Sequence, residues 1–173
     1  MARTSKHSAG LLLYRLRDGR LEVLIAHLGG PFWERRDAGA WSIVKGEYDP
    51  ALEDPLDAAR REFREELGCD PPAGETLALG EVRQRGGKSV IAWAVAGELD
   101  PGSIHSNTFT LEWPRGSGQL QEFPEIDRAA WCDPATARAK LVAGQRPLID
   151  ALEQVTAVAS QRTPDCDAHQ APD

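Results

Sequence analysis

The run from Lys88 to Gly97, KSVIAWAVAG, sets Val90, Ile91, Trp93 and Val95 almost back to back. A strand with one wet face alternates apolar and polar residues, whereas a near-continuous apolar strand is covered on both faces. A chain holding such a strand must place other layers on each side of its sheet. The remaining segments read as the parts of that arrangement. HSAGLLLYRL (7–16) and LEVLIAHL (21–28) are predicted strands, joined at RDGR by an Asp-Gly hairpin signal. WSIVKGEY (41–48) reads as a short strand feeding a turn, and TLALGEVRQ (76–84) as the partner of the apolar strand across Gly86-Gly87. SNTFTLEW (106–113) is a further strand stopped by Pro114, and EIDRAAWCD (125–133) is the last. Helices are predicted over 54–68, from about Pro134 to Ala143, and from Pro147, where Leu148, Leu152, Val155 and Val158 recur at helical spacing. Strands interrupted by one central helix and closed by helices predict an α/β or α+β sandwich.

A length of 173 residues suits one domain, here 1–160, which can bury a core without disulfide staples. The segment 161–173, QRTPDCDAHQAPD, is almost free of apolar residues and reads as a disordered tail. Cys69, Cys132 and Cys166 form neither a CxxC pair nor a zinc pattern, which fits a reducing compartment. The opening MARTSKHSAG has no apolar core of a signal peptide, and no run is long enough for a membrane span. A cytoplasmic protein with no membrane contact, monomeric or homodimeric, is the expectation. Net charge is −7, which argues against a stable nucleic-acid partner. It leaves room for a small phosphate-rich ligand if metal ions supply positive charge locally.

The stretch DPLDAARREFREELG (54–68) is punctuated as a helix. Asp54 is placed to cap it, Pro55 takes the first helical position and Gly68 stops it. Leu56, Ala59, Phe63 and Leu67 recur at spacings of three and four and form the buried stripe. Beside them Glu62, Glu65 and Glu66 share about 100° of arc. Like-charge pairs at such spacings cost roughly 0.2–0.5 kcal/mol each when merely solvated. A solvated acidic face with intrahelical ion pairs, such as Asp57 with Arg60 or Arg61, is the plain reading of the pattern. Carboxylates gathered on one rigid face are also what a hard divalent cation takes as ligands.

The wider context favours the second reading. From Gly46 onward, GEYDPALEDPLDAARREFREELGC resembles the signature of the Nudix hydrolases, G-x5-E-x7-R-E-U-x-E-E-x-G-U with U bulky and apolar. Glu53, then Arg61-Glu62-Phe63-Arg64-Glu65-Glu66-Leu67-Gly68-Cys69, match position by position. Six residues rather than five separate Gly46 from Glu53, and Val44 stands where the family commonly has proline. The extra residue falls in the loop before the helix. The resemblance implies a Nudix-type α/β/α sandwich with a mixed central sheet. The entry PFW…WS…KGEYD looks most like a bacterial branch of nucleotide pyrophosphohydrolases, and is also similar to the diadenosine polyphosphate hydrolases.

The resemblance implies water attack on a phosphorus of a diphosphate, with Mg²⁺ or Mn²⁺ as cofactor. It gives Glu65 and Glu66 as metal ligands, Glu62 as ligand or general base, and a backbone carbonyl near Gly46 as a further oxygen. Arg61 resembles the arginine that holds a glutamate in place, with Glu53 behind it orienting Arg61. A downstream loop glutamate is also expected; of Glu122 and Glu125, Glu125 is preferred, six residues before Trp131, as ligand or base. Lys45, Lys88 and Arg83 are candidate phosphate contacts. Phe32, Trp33 and Trp113 are candidates to stack a nucleobase, Trp33 foremost because it sits in a polar, Gly-rich loop. Trp93 and Trp131 read as core, His7 and His27 as structural or incidental, and Gly29-Gly30, which could cradle phosphate, more often simply makes a turn before a proline.

These readings converge on a pyrophosphohydrolase acting on a nucleoside triphosphate or dinucleoside polyphosphate. ADP-ribose or a sugar nucleotide is the next substrate class. The rival from another class is a non-catalytic nucleotide-binding module of the same fold; retention of Glu62, Glu65 and Glu66 counts against it. A role in RNA processing is disfavoured by the absence of a basic stripe.

Overall fold

A computed structural model describes residues 6–161. The chain runs β1 (His7–Arg17), β2 (Arg20–Leu28), β3 (Trp41–Ser42), β4 (Val44–Tyr48), α1 (Pro55–Leu67), β5 (Thr76–Arg83) and β6 (Ser89–Ala96). It continues through β7 (Thr108–Glu112), β8 (Leu120–Pro124), β9 (Ile126–Cys132), α2 (Pro134–Lys140) and α3 (Pro147–Gln161). The β1–β2 turn places Asp18 at φ 52° and Gly19 at φ 72°, the two left-handed residues that a tight hairpin requires.

The main sheet follows the order β3-β2-β1-β6-β5, with β4 also pairing β1 and β9 pairing β2. β1 and β6 run parallel and the other pairs antiparallel, so the sheet is mixed. β6 distributes its side chains as its composition demands. Val90, Ala92 and Ala94 enter a core with Leu148, Ile149 and Leu152 of α3. Ile91, Trp93 and Val95 face the other core, with Ala58, Ala59, Phe63 and Leu67 of α1. The sheet is thus the middle layer of three, with α1 on one side and α2 and α3 on the other.

α1 is fixed locally. The Asp54 side chain accepts from Leu56 N and Asp57 N at 2.9 and 3.2 Å, and Gly68 closes the helix at φ 74°. The extra residue before Glu53 is absorbed in a compact turn, in which Leu52 N and Glu53 N both donate to the Asp49 carbonyl.

The structure corrects four sequence expectations. The segment 41–48 is two strands, broken at Ile43, because its halves pair with different neighbours. The strand expected over 106–113 spans Thr108–Glu112 and pairs with β8, whose mostly exposed residues carry no strand pattern in the sequence. The β7–β8 hairpin forms a second, two-stranded sheet. The helix expected to reach Ala143 ends at Lys140, since Leu141 is extended and bridges Trp41. Gln161 closes α3, and the rest of the expected tail lies outside the described residues. No helix among the described residues is long and apolar enough to cross a membrane.

Candidate active site

A cavity of about 490 Å³ opens where α1 meets β4 and the start of β9. Glu62, Glu65 and Glu66 line one side, Lys45, Gly46 and Glu47 the adjoining strand, and Asn107 with Glu125 another wall. Ser42 and Ile43 also line it.

The helix glutamates differ in environment. Glu62 is only 8% exposed, and its carboxyl rests on the main chain at Gly46, where any Cβ would overlap it. Burial raises the Glu62 carboxyl above the usual carboxylate range, against the pull of Arg61. Glu66 is pushed up to about 8 by burial and then by the negative charge of Glu125. Glu65 stands at the rim, partly exposed.

Arg61 organises this face. Its Nε and Nη2 donate to the two oxygens of Glu53, each at 2.9 Å, the forked geometry that an arginine and a carboxylate share. Its Nη1 donates to Glu62 at 2.6 Å and to Glu65 at 3.3 Å. The Glu53 hydrogen bonds, foremost, hold the guanidinium firmly cationic, and Arg61 holds Glu53 below the usual carboxylate range.

Lys45 projects from β4 into the same cavity, and burial lowers its ammonium while Glu66 opposes that shift. Lys88 does not line the cavity; it shares one Glu47 oxygen with Lys6, at 3.4 and 3.3 Å. Arg83 lies at the exposed end of β5 and does not line the cavity.

Glu125 is set in place by its backbone. Its N–H donates to the Asn107 carbonyl at 2.8 Å, and its own carbonyl accepts from Gly29 N at 2.9 Å. A Cβ on Gly29 would lie 1.9 Å from the Pro124 carbonyl oxygen, so the glycine is there to let two backbones touch. Glu122 instead accepts from the Thr108 hydroxyl on the exposed hairpin.

The aromatic candidates separate. Trp33 packs against the α2/α3-side core, with the Arg36 guanidinium over its ring, and does not line the cavity. Phe32, 53% exposed, meets Trp113 edge to face at 5.4 Å, joining the loop after β2 to the hairpin outside the cavity lining. Trp93 packs in the α1-side core, and Trp131 joins it while donating to the Leu99 carbonyl. His7 packs against Tyr48 and Ser89. His27 is fully buried, Nδ1 2.8 Å from Asp127 and Nε2 2.7 Å from the Arg36 carbonyl. Ser42, Glu47 and Asn107 enter the cavity without a sequence signal, since only the folded sheet brings them there.

The donor set suits a hard divalent cation. It is oxygen-only, and burial first, then neighbouring carboxylate charge, raises the proton affinity of Glu62 and Glu66, a cost that a bound cation relieves. As the side chains stand, no three His, Cys, Asp or Glu among the described residues converge on one point, and Arg61 draws Glu62 and Glu65 toward itself.

The sequence model of the NUDIX domain matches residues 6–152. Among solved structures, an Ap4A hydrolase of C. elegans in a binary complex is 22% identical. It covers 87% of this chain and 98% of its own, with a TM-score of 0.62. The NUDIX domain of Shewanella oneidensis NrtR, complexed with ADP ribose, is 14% identical over 89% of this chain and 90% of its own, TM-score 0.59. A mutT/nudix family protein from Listeria innocua is 15% identical over 93% and 100%, TM-score 0.61. At these identities the likeness is one of fold. No curated protein matches the chain significantly.

Proposed function

The chain belongs to the Nudix domain family, and from that premise we propose that it is a Mg²⁺- or Mn²⁺-dependent pyrophosphohydrolase. Its substrates in this reading are nucleoside triphosphates or dinucleoside polyphosphates, cleaved within a diphosphate linkage. The observation that carries it is the cavity itself, lined at once by three helix carboxylates, a fourth at Glu125, and Lys45.

Glu65, Glu66 and Glu62 would hold the ion, with the Gly46 main chain alongside. When bound, it would neutralise phosphate charge and acidify a water. Arg61, clamped by Glu53, would restrain Glu62 and Glu65 on the face of α1 that lines the cavity. Lys45, kept dehydrated in the cavity wall, offers its ammonium to a phosphate oxygen. Glu125, which lines the same cavity, would accept the proton of the attacking water. Lys88, Trp113 and Phe32, outside the cavity lining, would meet the remainder of a long substrate.

The test is phosphate release from a nucleotide panel with Mg²⁺. The wild type should turn over at least one diphosphate compound. Glu66→Gln should stay folded and lose most of that activity. A wild type inert across the whole panel would point to a nucleotide-binding module instead.

A further inference from the structure

β3 and β4 would be one strand if the chain kept one partner. Trp41 and Ser42 pair with His27 and Ala26 of β2, whereas Val44 to Tyr48 pair with Leu11 to His7 of β1. Ile43 is the residue at which the ladder changes hands, and its buried N–H takes a side-chain partner. Gln145, about a hundred residues on, provides it: its Oε1 accepts from Ile43 N at 2.8 Å. Its Nε2 donates to Ser42 Oγ at 2.9 Å, and that hydroxyl donates to the Ile43 carbonyl at 2.7 Å. Gln145 is fully buried, so water offers no substitute for either bond.

The turn that carries Gln145 is itself pinned. Val142 N donates to the Trp41 carbonyl at 2.8 Å. A Cβ on Gly144 would lie 2.9 Å from the Arg83 carbonyl, so the turn is wedged against the end of β5. Ser42 and Ile43 line the cavity, and Lys45 and Gly46 follow two and three residues later.

We propose that Gln145 is a positioning residue for the cleft: it locks the strand switch at Ile43 and thereby the phase in which β4 presents Lys45 and Gly46 to α1. A strand alternates its faces with every residue, so a small shift at the switch misdirects both. With the Ser42 hydroxyl proton given to the Ile43 carbonyl, only a group that accepts and donates at once satisfies Ile43 N and Ser42 Oγ together. A primary amide does so at every pH; a carboxyl does so only while protonated.

The inference rests on the reading of this cleft as a diphosphate-cleaving site, so its test has a second readout, the affinity of the protein for Mn²⁺ alone, measured by EPR. Gln145→Leu and Gln145→Glu are compared with wild type for thermal midpoint, kcat, KM and Mn²⁺ affinity, well below the melting temperature. Gln145→Leu should lose about tenfold or more in kcat and several-fold in Mn²⁺ affinity. Gln145→Glu should approach wild type at low pH and fall away from it as pH rises and its carboxyl ionises. Should Gln145→Leu fail to fold, the pH profile of Gln145→Glu decides. Folded variants with kcat and Mn²⁺ affinity within about twofold of wild type at every pH, and only a lower melting point, would overturn the proposal. If the wild type cleaves nothing, the functional reading fails while the Mn²⁺ measurement still judges Gln145.

Discussion

The Glu62 carboxyl lies so close over Gly46 that a Cβ at position 46 would sit 1.9 Å from both its Cδ and one of its oxygens. A helix carboxylate and a strand backbone thus occupy adjoining space, and the absence of a side chain at 46 is what permits it. Gly46→Ala should push Glu62 aside and cost about 100-fold in kcat, with a smaller loss of stability. Steady-state kinetics and a melting curve check this; wild-type kcat would show that Glu62 has room to move harmlessly.

Glu66 makes the metal-free protein pH-sensitive. Its carboxyl is pushed up to about 8 in the fold, by burial first and then by Glu125. The fold therefore favours the neutral form. That contribution to stability is fully present below the ordinary carboxylate pKa and is lost as pH rises through about 8. In EDTA, the wild-type melting point should fall between pH 5 and pH 9 relative to that of Glu66→Gln. A divalent ion should reverse the loss and, at pH 7, displace a proton, which calorimetry in buffers of different ionisation enthalpy would detect.

Arg61 tests whether geometry or charge matters at the acidic face. Its fork spans both Glu53 oxygens and its third nitrogen reaches Glu62 and Glu65. Lysine keeps the charge and loses the fork. Arg61→Lys should lower kcat by about 10- to 100-fold. The group is partly exposed, so the stability cost should stay near 1 kcal/mol. Glu53→Gln should move activity in the same direction.

His27 should behave in the opposite way. It is buried behind the cavity and tied to Asp127 and the Arg36 carbonyl, at 2.8 and 2.7 Å. His27→Ala leaves both partners short of a bond and a void beside Trp41, a cost of roughly 2–4 kcal/mol. Denaturant titration should show that loss, with kcat of the folded protein within about twofold of wild type.

What the chain makes legible is what is local. The Asp54 cap, the Gly68 stop and the Leu56-Ala59-Phe63-Leu67 stripe are set by neighbours three and four residues apart, so α1 and its three glutamates could be read directly. The two-sided apolar run of β6 announced a layered sheet for the same reason. Trp33 misled because a polar loop sequence does not say which way its tryptophan turns, and it turns into the core. β8 was invisible because its exposed residues carry little apolar pattern and only pairing with β7 makes it a strand.

The helix, its caps and the carboxylate cluster follow from residues close together in the chain, because 3.6-residue periodicity needs no distant partner. What surrounds that cluster comes from long-range packing: Glu125 beside the Gly29–Pro124 contact, Ser42 and Asn107 in the cavity lining, and Gln145 bonded at the break at Ile43. Those placements depend on sheet order and register between segments far apart in the chain, which long-range packing fixes and local pattern does not encode.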